Sequence, residues 1–146
     1  MRKDADEKAI RDIIDDRSRA LYAKNADLAF AHGGSEFVSF DLDPPLARAG
    51  DAARDKKGIE GWFATWKGPI GWEVRDVMIH ADDHLAFAYG LGHITGTKVE
   101  GNDVDLWVRF TNGFRKEGGD WKQIHAHTST PFYMDGSNRA ALDLKP

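Results

Sequence analysis

Apolar and polar residues alternate along most of the second half of the chain, in runs too long and too regular to be loops. From Asp103 to Phe132 the sequence reads DVDLWVRFTNGFRKEGGDWKQIHAHTSTPF, broken once at Glu117-Gly118-Gly119. That is the pattern of a β-hairpin, and a three-residue loop ending on Gly119 sets its expected register. Lys116 would then oppose Asp120, Asn112 would oppose Ile124, Phe110 would oppose Ala126 and Val108 would oppose Thr128. One face of the hairpin is mostly apolar and is expected to meet the core. The other carries Trp107, Arg109, Thr111, Trp121, His125, His127 and Ser129. So many Trp and His side chains suggest a covered surface, and a second copy of the protein is the expected cover.

Upstream, the period changes. Residues 5–24 place Ile10, Ile13, Ile14, Ala20 and Leu21 at i, i+3, i+4 spacing, the stripe of an amphipathic helix. Arg17 falls inside that stripe: it either snorkels to the edge, pairing with Asp15, Asp16 or Glu36, or points inward as a cation in a cavity. A short second helix follows over LAFAH, opened by Asn25 or Asp27 and closed by Gly33-Gly34. Residues 36–40 read as a short strand. Residues 41–55, with Pro44-Pro45, read as a loop long enough to cover a cavity. Asp55 can cap a third helix with Ile59, Trp62, Phe63 and Trp66 on its apolar side, stopped by Gly68-Pro69.

Two further strands are expected over Trp72–Ala81 and His84–Thr97. A two-residue turn at Glu100-Gly101 would pair Leu91 with Phe110, Tyr89 with Asn112 and His93 with Val108, leaving Gly90 and Gly92 as room for bulky neighbours. Three helices laid on one face of a strongly bent, mainly antiparallel sheet make an α+β cone, a cystatin-like roll whose open mouth is a natural pocket.

Composition narrows the chemistry. The 146 residues fit one domain, with its core over about 5–133 and a C-terminal tail over 134–146. A net charge of −4 leaves no basic footprint for nucleic acid or an anionic membrane. The absence of cysteine closes thiol and disulfide chemistry. With no apolar stretch near membrane-spanning length and no leader-like start, a soluble, cytoplasmic protein is expected. No metal is expected at His125 and His127: they share a strand face, but that face offers no further ligand. No motif calls for a cofactor.

The segments GLGHITG, VDLWVRFT and FRKEGGDWKQIHAHTSTPF together resemble the SnoaL-like branch of the nuclear-transport-factor-2-like superfamily, which includes ketosteroid isomerase and polyketide cyclases. The closing W-x-x-I-H-x-H-x-S pattern is also similar to the association domain of calcium/calmodulin-dependent protein kinase. The resemblance implies a pocket for a small apolar or amphipathic ligand and, in the enzymes, proton transfer next to a carbonyl, with Asp43 as general base. The isomerase's Tyr and protonated-Asp donors would fall at Arg17 or Arg19 and at Asn112, so steroid isomerisation is not implied. The kinase domain's carboxylate-binding Arg on the last strand falls at Thr128. The expected site joins Asp43, Asn112 and His93 as catalytic groups. Arg17, Tyr22, Asp41, Trp62, Trp66, Tyr89, Phe110 and Thr128 are expected to line the pocket. The rival expectation is a non-catalytic ligand-binding or dimerisation module; under either, a homodimer through the sheet face with Trp107, Arg109, His125 and His127 is expected.

Overall fold

The computed structural model describes residues 2–146. Helix α1 spans Arg2–Ala23 and buries Ile10, Ile13, Ile14, Ala20 and Leu21, the apolar stripe that the spacing predicts. Helix α2 spans Ala26–Phe30, and the Asn25 side chain caps it by accepting from the Leu28 N–H at 3.0 Å. Strand β1 (Gly33–Phe40) is longer than the sequence pattern suggests and begins at the two glycines expected to end the helix. The following segment holds a two-residue strand β2 (Arg48–Ala49), then a 3-10 turn over Gly50–Arg54. Asp55 caps helix α3 (Lys56–Phe63) by accepting from the Gly58 N–H at 3.0 Å.

Strands β3 (Trp66–Ala81), β4 (Leu85–Lys98), β5 (Asp103–Glu117) and β6 (Asp120–Ser129) complete a six-stranded sheet ordered β2-β1-β6-β5-β4-β3. All neighbours are antiparallel except β1 and β6, which run parallel. Trp66 is therefore not on α3. It opens β3, and the chain passes Gly68-Pro69 through a register shift between Lys67 and Gly71.

Both hairpins depart from the expected lengths. The β5–β6 loop has two residues, Gly118 and Gly119, both at positive φ (59° and 87°), as the primed turn requires. A bulge follows: Phe114 pairs with Gln123 and Gly113 with His125, so Ile124 has no partner on β5. Past the bulge the offset from the expected register is two residues, so Phe110 and Thr128 still share one face and Arg109 and Ser129 the other. Before it the offset is one residue, and Trp121 turns from the outer face into the core, where it is 6% exposed.

Between β4 and β5 the turn is three residues, Val99 to Gly101, with Gly101 at φ 102°. Leu91 accordingly opposes Arg109, Tyr89 opposes Thr111 and His93 opposes Trp107. The one-residue slip moves every β4 side chain to the other face. Ala86, Ala88, Gly90 and Gly92 face the helices, while Leu85, Phe87, Tyr89, Leu91 and His93 face outward.

The two β4 glycines make room for rings on the inner face. A Cβ at Gly92 would stand 2.2 Å from the Trp72 ring, and one at Gly90 would stand 3.1 Å from the Phe110 ring. Trp72 and Phe110 meet with centroids 6.0 Å apart. Gly92→Ala should thus cost roughly 1–3 kcal/mol through overpacking, read as a lower urea midpoint with unchanged slope.

Beneath α1 the core falls into two clusters. One joins Ile10, Ile13, Ile14, Ala86, Ala88, Phe114 and Trp121. The other joins Leu21, Ala26, Phe63, Trp66 and Ile70. Asp6 ties the first cluster to the hairpin, accepting from Trp121 Nε1 at 2.9 Å and Lys116 Nζ at 3.0 Å. Arg17 lies on α1 between the residues of the two clusters.

Candidate functional site

A recess of about 40 Å³ lies where α1, α2 and β1 meet. Its apolar wall comes from Ile13 on α1, from Leu28, Ala29 and Phe30 on α2, and from Phe37 on β1. Its polar wall is Arg17, His32, Arg54 and Gln123. Parallel pairing of β1 with β6 assembles this corner: Gly33 lies beside Gln123, whose backbone N–H donates to the His32 carbonyl at 2.8 Å. The His32 ring is fixed from the other side, with Nε2 2.7 Å from Asp16 Oδ2. Asp16 also accepts from Arg19. The hydrogen bond from His32 is the main reason that the Asp16 carboxyl lies below its ordinary range; partial burial opposes it.

Arg17 is held differently. Its side chain lines the open recess and is exposed, while the protein atoms packed around it displace part of its water shell. That desolvation pulls its pKa down, and the charge of Asp41 offsets this in part. The ion pairs nearby are Arg48 with Asp41 at 2.6 Å, Arg48 with Asp43 at 2.9 Å, and Arg19 with Asp16. Among the described residues, Arg17 belongs to none of them.

The expected site residues divide between several places. Arg17, Phe110, Asn112 and Thr128 are on the inner, concave side: Asn112 pairs with Ala88 and Ala126, and Phe110 pairs with Thr128. Tyr89 and His93 are on the outer face, a correction that follows from the three-residue turn. His93 stacks on Trp107 at 4.3 Å and bonds Asp105 through Nε2 at 2.6 Å. Asp43 does not converge with Asn112. It stands on the exposed loop bonded to Arg48, whose guanidinium is the main reason that its carboxyl lies below the ordinary range. Asp41 is also exposed, bonded to Arg48 and Ser39. Tyr22 is 64% exposed, Trp62 lies partly exposed against Trp66, and Trp66 belongs to the second core cluster.

His32, Gln123 and Arg54 are not among the expected site residues, and Asp16, expected as one possible partner of Arg17, bonds His32 and Arg19 instead. Asp16 and His32 meet where α1 packs on α2, Arg54 arrives on the 3-10 turn beside Gly33, and Gln123 comes from the β1–β6 pairing, remote in sequence. An open groove of about 400 Å³ also runs between Tyr133 and Asp143. The C-terminal segment alone forms it.

The SnoaL-like domain family matches residues 10–133, which include α1 from Ile10 onward and all six strands of the sheet. The chain belongs to the SnoaL-like family. Among solved structures, this SnoaL-like chain is similar to an NTF2-like protein of unknown function from Pseudomonas putida KT2440, with 29% identity, 97% of each chain covered and a TM-score of 0.84. It shares its fold with a proposed scytalone dehydratase from Novosphingobium aromaticivorans (19% identity, 94% of this chain and 91% of the other, TM-score 0.76). An NTF2-like protein with a cystatin-like fold from Novosphingobium aromaticivorans is a further neighbour (14% identity, 99% and 92%, TM-score 0.71). No curated protein matches the chain.

Proposed function

We propose that this SnoaL-like protein binds a small amphipathic molecule on the concave side of its sheet and moves a proton next to the ligand's carbonyl, a lyase- or isomerase-type reaction. The observation that carries the reading is the Asp16–His32 pair at the wall of the recess. A neutral imidazole donating from Nε2 to Asp16 presents Nδ1 as an acceptor, and the carboxylate stabilises the ring once it takes a proton. Asp43, the base that the family resemblance implies, is committed to Arg48 and held in its weakly basic form. Asn112 and Thr128 supply polar groups elsewhere on the concave side, where an oxyanion would need donors. The similarity in fold to a proposed dehydratase agrees with elimination as the form of the reaction.

The test is turnover of a panel of β-hydroxy ketones, followed by enone absorbance. His32→Asn should lower kcat by about 10²–10⁴-fold. Loss of activity in Asp43→Asn with His32→Asn unaffected would overturn the assignment. The same variant carries a stability readout. Asp16 has a lowered folded-state pKa, so its contribution is present above the ordinary carboxylate pKa and fades as pH falls through the folded value. Without His32 part of that contribution disappears, and acid unfolding should begin at a higher pH.

A second reading concerns the outer face, which we propose is the interface of a two-fold homodimer. Two rows of side chains cross it. One runs from His80 and Phe87 to His125, the other from Met78 and Tyr89 through Thr111 to His127 and Phe40. Met78, Phe87 and Tyr89 are 49%, 49% and 42% exposed in the single chain. A partly apolar surface this continuous is unusual for a monomer.

A further inference from the structure

We infer that the recess receives the carboxylate of a small organic acid, with Arg17 as its counter-ion. The inference rests on the reading of the concave side as a ligand site and names the class of ligand.

Four polar side chains line the recess: Arg17, Arg54, His32 and Gln123. Two are permanent cations, one is a histidine and one an amide; no carboxylate is among them. In a chain with 24 acidic and 20 basic residues this is a local reversal of sign. The nearby acids are already engaged. Arg48 bonds Asp41 and Asp43, while Arg19 and His32 bond Asp16. The Arg54 side chain lies against Gly33, with Nε 3.8 Å from where a Cβ would stand.

Arg17 stands exposed at the wall of the recess without an ion-pair partner among the described residues, so its guanidinium is available to an anion that enters. Arg favours planar, bidentate acceptors, which a carboxylate is. Size points the same way. About 40 Å³ is far below the roughly 300–1,000 Å³ of a pocket for a whole ligand, but it suits a headgroup. The apolar wall of Ile13, Phe30 and Phe37 accounts for the rest of the preference: an acid with an apolar body next to its carboxylate.

The experiment compares benzoate, benzamide and the neutral dye N-phenyl-1-naphthylamine on the full chain, by calorimetry and dye fluorescence. Benzoate should bind at least tenfold more tightly than its uncharged amide. Arg17→Met should lose benzoate at least tenfold while keeping its circular dichroism and its affinity for the dye. Arg17→Lys, which keeps the charge but not the fork, should fall between the two. Benzamide binding as well as benzoate, or Arg17→Met retaining benzoate, overturns the proposal. Binding of the dye alone removes the carboxylate and leaves the ligand site standing; binding of neither probe removes both.

Discussion

Phe87→Asp should convert the protein from a dimer to a monomer at micromolar concentration in light scattering. Phe87 stacks with His80 at 5.0 Å and lies 6.4 Å from Tyr89, on the strand beside the β3 edge of the outer face. At a two-fold interface, each substitution places a carboxylate in apolar surroundings, and the symmetry doubles the effect. A loss of more than about 100-fold in association is expected, since that requires only about 2.8 kcal/mol. Arg109→Glu, on the same face beside Leu91, should weaken the dimer in the same direction. A wild-type monomer, or a dimer indifferent to both variants, sinks the interface.

Phe114→Ala should be the most destabilising single truncation in the core, by about 3–5 kcal/mol. Phe114 is fully buried and sits in the first cluster with Ile10, Ile14, Ala88 and Trp121. The strand cannot move in to fill the void, because it is hydrogen-bonded on both sides, to β4 and to β6. Against a total stability of about 5–15 kcal/mol, the loss would appear as a much lower urea midpoint. Arg17→Met makes the useful contrast. It removes an exposed charge that has no ion-pair partner among the described residues, so it should change that midpoint by little. A cost below about 1 kcal/mol for Phe114→Ala would show that the first cluster relaxes freely.

How much of this was legible in the sequence depends on which interactions are local. The α1 stripe, the Asn25 and Asp55 caps and the four long strands follow from spacing and side-chain type alone. The registers did not, because a loop and a bulge can cancel. Gly118-Gly119 with the bulge at Ile124 preserves the same alternation past Gly113 as a longer loop without a bulge would. Nothing between Lys98 and Asp103 marks a three-residue turn over a two-residue one, and that single residue decides whether Tyr89 and His93 face the ligand side or the outer side. Trp66 satisfies helical spacing, yet the backbone leaves α3 at Phe63. The recess was the least legible of all, since Gln123 joins Arg17 and His32 only through the parallel pairing of β1 with β6.

That pairing also sets an order of events for a chain emerging from the ribosome. β1 is complete by residue 40, but the strand it must lie beside ends at residue 129. Until then its inner edge has no neighbour, and closing a separation of 87 to 90 residues must precede any gain. The helices and the β3–β4–β5 meander can form from near contacts while the first strand waits. The side of the recess that Gln123 supplies is therefore finished last, and nascent chains stalled before β6 would expose an unpaired strand edge open to wrong partners.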